Sequence, residues 1–259
     1  MKNGLLAEII QNKQQELTRA LKQCREAVEK TSPANPRSLA TALEKTKLAI
    51  LAEIKPKSPI KGRFNKRQDL VTIARDYEKA GATALSVLTD QKYFGGSVAL
   101  LSRVRQSVSI PVLRKDFILH EYQIEKSLEA GADAVLLIAD ILSTKQLDKL
   151  YTLATDLKME VVVEFHDHQY SSSVRDLNPP IVGVNCRDLK SMTIDLNHFE
   201  KMIGYLPSNS LKIAESGLRT PQDLEYVYRL GYDAALLGTC LMESPSPGRT
   251  LRHLLEGVR

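Results

Sequence analysis

Eight short apolar runs recur along the chain, and they leave few folds open to it: LAILAEI (48–54), ALSVL (84–88), IPVLR (110–114), DAVLLI (133–138), EVVVEF (160–165), IVGVN (181–185), LKIAE (211–215) and DAALLG (233–238). The runs are nearly continuous in apolar character rather than alternating. That is the mark of parallel strands covered on both faces, which need helices to cover them. Segments such as DLVTIARDYEKA and EYQIEKSLEA supply helical spacing between the runs. Eight such units in 259 residues predict an α/β fold, a closed (β/α)8 barrel, whose usual length is about 250 residues. The structural competitor is an open doubly wound sheet, but its G-x-G-x-x-G fingerprint does not follow the first run, and no Walker A loop occurs.

A weak internal repeat agrees with the barrel. EKAGATALSVL, LEAGADAVLLI and YRLGYDAALLG each end a helix, turn at a glycine and enter a strand. Gly81, Gly131 and Gly231, separated by 50 and 100 residues, are placed for left-handed turns at helix ends, where a side chain would be penalised. Ahead of the first strand, Leu5, Leu6, Ile9, Ile10, Leu17, Leu21 and Val28 follow helical spacing. The two prolines of TSPANPRS break that helix, and Ser38 is placed to cap a second one over Leu39 to Glu44. The division expected is an N-terminal helical extension, 1–47, before a single catalytic barrel, 48–259.

Charge and cysteine content narrow the function classes. The net charge of +5 comes without a long basic block, so a nucleic-acid partner is not expected, while a small anionic ligand suits the balance. Cys24, Cys186 and Cys240 are far apart, which disfavours a disulfide framework and a zinc site and fits a reducing cytoplasm. No secretory signal and no membrane span is recognised. The charge-rich helices are compatible with a monomer.

In a barrel of this kind the active site is built where the strands end. Those ends are unusually polar here. LAEIKPKSPI contributes Glu53, Lys55 and Ser58; VLRKDF contributes Arg114, Lys115 and Asp116; EVVVEF contributes Glu164; GVNCRDL contributes Asn185 and Arg187; and KIAESG contributes Glu215, Ser216 and Gly217. Alternation along a strand puts Glu53 with Lys55, Leu113 with Lys115 and Asn185 with Arg187. Buried charge at a barrel mouth needs a partner or a ligand, so this convergence points to acid–base chemistry. Gly238 and Thr239, after the eighth run, join Ser216 and Gly217 as a phosphate site of the type built from the last two loops of a barrel. A phosphate monoester or phosphosugar is the ligand implied.

The order and spacing of EIKPKSP, RKDFI, VVVEFH, GVNCRDL, AESGL and LLGTCLM resemble those of the indole-3-glycerol-phosphate synthase family over essentially the whole chain. The resemblance implies ring closure of 1-(2-carboxyphenylamino)-1-deoxyribulose 5-phosphate with loss of carbon dioxide and water, and neither metal nor organic cofactor. It implies Lys115 as general acid at the ribulose carbonyl and Glu164 as base in the dehydration. Glu53 would assist proton transfer, and Lys55 would hold substrate anions or itself deliver a proton, the sequence leaving open which lysine donates in each step. Asn185 and Arg187 would position the anthranilate part, with Glu215 supporting the charges, and Ser58, Ser216, Gly217, Gly238 and Thr239 would line the phosphate site. Ile60 departs from the small polar residue expected after KSP and is expected to shift one phosphate hydrogen bond onto the backbone. Cys186 is expected as a small buried side chain rather than a nucleophile.

Other readings bear on the same residues. His166 and His168 form an H-x-H pair that a metal-dependent hydrolase would use. A phosphosugar isomerase or a Schiff-base aldolase could use the same barrel, the aldolase with Lys115 at a depressed pKa; two neighbouring lysines are expected to depress each other while Glu53 opposes the shift. A silent paralogue that only binds phosphosugars would need no matched acid and base.

Overall fold

The computed structural model describes residues 4–23, 36–64, 68–188 and 191–257. Eight parallel strands close into one barrel: β1 (Ala49–Ile54), β2 (Ala84–Leu88), β3 (Val112–Lys115), β4 (Ala134–Ile138), β5 (Glu160–Phe165), β6 (Ile181–Asn185), β7 (Leu211–Glu215) and β8 (Ala234–Leu237). Each pairs with its sequence neighbours, and β8 closes on β1 through the register Ala49 to Ala234 and Ala52 to Leu237. All eight apolar runs are strands, four with the same ends and the others shifted by at most two residues. The largest shift is at β3, which starts at Val112 because Pro111 has no N–H to give the ladder.

Alternation divides the core in two. Leu51, Leu113, Leu136, Val162, Ile181, Ile213 and Leu236 point inward and fill the barrel. Ile50, Ala52, Leu85, Val135, Val163, Val182 and Ala235 point outward and pack under the helices α3 (Leu70–Ala80), α4 (Val98–Ser107), α5 (Glu121–Glu129), α6 (Thr144–Asp156), α7 (Ser171–Leu177), α8 (Asn197–Ile203), α9 (Pro221–Arg229) and α11 (Pro247–Glu256). A five-residue helix, α10 (Thr239–Glu243), follows β8 directly. The helix ends turn as expected, with Gly81, Gly131 and Gly231 at φ of 101°, 81° and 93°.

The two remaining helices sit at opposite ends of the barrel. Helix α2 (Leu39–Leu43), capped by Ser38, inserts Leu39 and Leu43 into the interior cluster from the end where the strands begin. Helix α1 (Leu5–Gln23) adds Ile9 to that cluster, and its Lys13 reaches Asp90 and Asp116, which follow β2 and β3. Helix α1 therefore lies at the end where the strands finish. Of its expected apolar stripe Ile9 is buried, Leu21 is 40% exposed, and Val28, like Cys24, lies outside the described residues. Among the described residues no helix is long and apolar enough to cross a membrane.

Candidate active site

The polar strand ends converge on one cavity of about 260 Å³, lined on its charged side by Glu53, Lys55, Lys115, Glu164, Asn185 and Glu215. At its centre the Lys115 ammonium lies 2.7 Å from Glu164 Oε2 and 2.5 Å from Glu215 Oε2. The second Glu164 oxygen accepts a hydrogen bond from Asn185 Nδ2 at 3.0 Å, and Asn185 Oδ1 in turn accepts from the Arg187 N–H at 3.0 Å. Opposite, Lys55 pairs with Glu53 at 2.6 Å and donates to Thr239 Oγ1 at 3.2 Å. Strand alternation brings these groups inward, as expected, and it sends Arg114 outward. The Arg114 guanidinium is buried in the helix layer, where it bonds Thr89, the Gln123 carbonyl, Ser127 and Asp116.

Two glycines make room for the carboxylates. A Cβ on Gly183, inside β6, would collide with Glu215 Oε1, and one on Gly238 would collide with Glu53 Oε1. A glycine inside a strand marks such close approach, so Gly183 was legible as a site feature in IVGVN although sequence reasoning did not use it.

Electrostatics set the protonation states. Burial works against the Lys115 ammonium, but the Glu164, Glu215 and Glu53 carboxylates outweigh it and hold its pKa above that of a free lysine. Lys115 is thus not depressed as a neighbouring lysine alone would have it: the carboxylates dominate around it. Burial also pushes Glu164 up, but Lys115 and the hydrogen bonds from Lys115 and Asn185 bring it below the usual carboxylate range. Glu215 goes the other way. Burial, the Glu164 charge and the hydrogen bond with Glu164 raise it to about 8, even though Lys115 opposes the shift, and its Oε1 has no donor among the described residues. One ammonium thus serves two buried carboxylates, and the pair keeps one proton near neutrality, held chiefly by Glu215.

Beside Lys55 the cavity has a second polar corner. Ser58, Lys61, Ser216, Gly217, Arg219, Gly238 and Thr239 line it. Ser58 Oγ accepts from the Ile60 and Lys61 N–H groups at 3.3 and 3.4 Å, within the hairpin formed by Lys57–Ser58 and Gly62–Arg63. Ser216 adopts a left-handed φ of 74°, followed by Gly217 at 78°. A non-glycine residue there costs of order 1 kcal/mol and is tolerated where function over-determines the backbone. Lys61 and Arg219 were not singled out from the sequence. Glu243 of α10 holds both, at 2.9 and 2.6 Å. They come from separate loops, and only folding brings them together.

The remaining wall is apolar: Phe94, Phe117, Leu136, Ile138, Leu218 and Leu236. In sequence these residues look like ordinary core. Ile60, 56% exposed, stands at the rim. Cys186 is buried, donates to the Ser216 carbonyl at 3.3 Å, and has its thiol pushed up to about 12 mainly by burial. It is a small structural side chain, as expected. The H-x-H pair separates: His166 stacks on His198 with centroids 4.2 Å apart, whereas His168 packs on Tyr205. No cluster of metal-ligating side chains occurs among the described residues.

Fold and site together are those of a (β/α)8-barrel enzyme, with a paired lysine and carboxylates at the mouth and a polar corner beside them. The sequence model of the indole-3-glycerol phosphate synthase family matches residues 6–254, and the chain belongs to that family, whose members are carboxy-lyases of tryptophan biosynthesis. Indole-3-glycerol phosphate synthase of Campylobacter jejuni subsp. jejuni (strain 81-176) is 42% identical over 227 residues, spanning 87% of this chain and 88% of that protein. The corresponding protein of Halalkalibacterium halodurans is 40% identical over 256 residues, spanning 98% and 97%. Among solved structures, a thiamine phosphate pyrophosphorylase from Pyrococcus furiosus has a TM-score of 0.61 at 13% identity, over 82% of this chain and 96% of its own. Orotidine 5'-phosphate decarboxylase from Pyrococcus horikoshii has a TM-score of 0.59 at 11% identity, over 73% and 93%. At those identities the two structures share the fold alone.

Proposed function

We propose that the chain converts 1-(2-carboxyphenylamino)-1-deoxyribulose 5-phosphate to indole-3-glycerol phosphate at this cavity, with Lys115 as general acid. The observation that carries this reading is the buried ammonium between two carboxylates of opposite tendency. Attack of the aromatic carbon on the ribulose carbonyl builds negative charge on oxygen, and a positioned ammonium supplies both the countercharge and the proton. The raised pKa keeps Lys115 in the donating form. It also argues against a Schiff-base role, which needs a neutral amine.

Carbon dioxide then leaves and the ring regains aromaticity. Glu164, held ionised, takes up a proton in the dehydration. Asn185 orients Glu164, Glu215 keeps the second proton in reserve, and Glu53 fixes Lys55 and shares in proton transfer. Arg187 suits the substrate carboxylate, and the apolar wall suits the phenyl ring. The phosphate belongs in the corner of Ser58, Ser216, Gly217, Gly238 and Thr239, with Lys55, Lys61 and Arg219 in reach as cations. The same reading has the enzyme working without metal or cofactor, as a monomer in the cytoplasm.

Indole fluorescence tests it directly, because the chain contains no tryptophan. Purified protein given the substrate should develop product fluorescence at the same rate with and without EDTA. Tight substrate binding without product would instead identify a phosphosugar-binding paralogue, and loss of turnover in EDTA would reinstate a metal.

A further inference from the structure

Helix α1 puts one charged side chain on its buried stripe. Lys13 lies four residues after Ile9 and is 5% exposed. Its ammonium is 2.9 Å from Asp90 Oδ2, 3.0 Å from Asp116 Oδ1 and 3.0 Å from Glu16 Oε2. Burial opposes the charge, but Asp116 and Asp90 overcome it and hold the pKa above the ordinary lysine value.

Each of the two aspartates also grips the backbone of a cavity residue. Asp90 Oδ1 accepts from the N–H groups of Tyr93 and Phe94 at 2.8 and 3.3 Å, and Asp116 Oδ1 accepts from the Phe117 N–H at 2.8 Å. Phe94 and Phe117 face one another with ring centroids 6.2 Å apart and planes tilted by 37°, and both line the cavity. Asp90 follows β2 and Asp116 follows β3. Lys13 is therefore the shared counter-ion of two loops that each present one aromatic ring to the cavity. Arg114 also pairs with Asp116, at 2.9 Å, so without Lys13 it is Asp90 that would lose its cation, and nothing would hold the two carboxylates together across the gap that sets the ring spacing.

We propose that Lys13 is a positioning residue for the aromatic part of the substrate: its ammonium clips the β2 and β3 loops together and thereby fixes the slot between Phe94 and Phe117. The proposal rests on the functional reading above for the identity of the substrate. The slot itself does not depend on turnover. The clip also gives the N-terminal helix a part in ligand recognition, although among the described residues none of α1 lines the cavity.

The test compares wild type with Lys13→Met in the full chain, by steady-state kinetics, by fluorescence titration with anthranilate as an aromatic probe, and by inhibition with inorganic phosphate. We expect KM for the substrate to rise about tenfold and anthranilate binding to weaken by a similar factor, equivalent to about 1.4 kcal/mol. Turnover number should change little, and phosphate inhibition should be unaltered. Lys13→Arg should restore part of the anthranilate affinity. A lower Tm with unchanged KM and anthranilate affinity would overturn the proposal and leave Lys13 a structural ion pair.

Should Lys13→Met not fold, Asp90→Asn keeps an oxygen for the Tyr93 and Phe94 N–H groups while loosening the hold on Lys13. The same split between KM and kcat is expected, and an unchanged KM would again refute the clip. A wild type that binds anthranilate but does not turn the substrate over would sink the assigned reaction and leave the clip to be judged by titration. A wild type that binds no anthranilate would sink the clip.

Discussion

The two ends of the barrel hold similar charged residues in opposite conditions. Where the strands begin, Asp133 satisfies both its oxygens: Oδ1 accepts from the Arg37 N–H and from Arg105, each at 2.9 Å, while Oδ2 pairs with Arg105 Nε at 2.8 Å and accepts from the Val112 N–H at 2.9 Å. Glu160 likewise takes Ser38 Oγ and the first two N–H groups of α2, at 2.8, 2.5 and 3.0 Å. Where the strands end, Glu215 keeps one oxygen without a donor among the described residues, and a single ammonium is divided between two carboxylates. A carboxylate with every lone pair occupied has nothing left to offer a ligand and serves the fold. A carboxylate kept short of partners is costly to bury, and it can exchange a proton. Residue type does not separate these roles; hydrogen-bond accounting does.

If that contrast is right, substitutions at the mouth should cost activity, and those at the base should cost stability. The largest effect is expected for Lys115→Ala, which should lower kcat by roughly a thousandfold or more while circular dichroism stays native. Near wild-type turnover would remove the assigned acid. Next, Asp133→Ala should lose about 3 kcal/mol in urea unfolding, because it removes the carboxylate that pairs with Arg105 and the acceptor of two backbone N–H groups, those of Arg37 and Val112. Its kcat/KM, measured on the folded fraction, should match wild type; a catalytic defect with normal stability would dissolve the comparison.

A third effect concerns pH. Glu215 holds its proton up to about 8, so kcat/KM should decline above that value by about tenfold per unit. Glu215→Gln, which is permanently neutral, should lack that limb. The sign for stability follows from the raised pKa: the unfolded chain releases this proton near 4.5 and the folded one near 8. The contribution of Glu215 is therefore full below the lower value, falls as pH rises between the two, and stays flat above. A denaturation series that showed stability gained across this window only in wild type, and not in Glu215→Gln, would contradict it. The smallest effect is expected for Glu160→Gln, which keeps one acceptor oxygen for the N–H groups of α2 but loses the charge at the start of that helix, about 1 kcal/mol, with no change in catalysis.

How far the sequence reaches can be traced residue by residue. Glu53, Lys55, Lys115, Glu164, Asn185 and Glu215 were legible because each sits at the end of an apolar run, and the period of two decides which way it points. The same rule turns Arg114 away from the cavity, and its guanidinium lies in the helix layer. Phe94, Leu136, Ile138 and Leu236 were not legible, since an apolar residue looks the same in a core and in a ligand slot. Lys61 and Arg219 were missed because they lie on loops, where no period fixes direction. Lys13 was missed for the opposite reason: a helical periodicity reading assigns lysines to the solvent face, and only the two aspartates brought against α1 make its burial tolerable.

The sequence by itself determined the strand count, the parallel order and the set of charged groups at one end of the barrel, because these follow from local periodicity and from the residues that terminate each run. Only the tertiary structure decided which carboxylate carries the proton, which glycines cradle the carboxylates and which helix ties the aromatic wall together. Those properties depend on burial and on distances between segments far apart in the chain, and the protonation of a buried group is set by its nearest charges rather than by its neighbours in sequence.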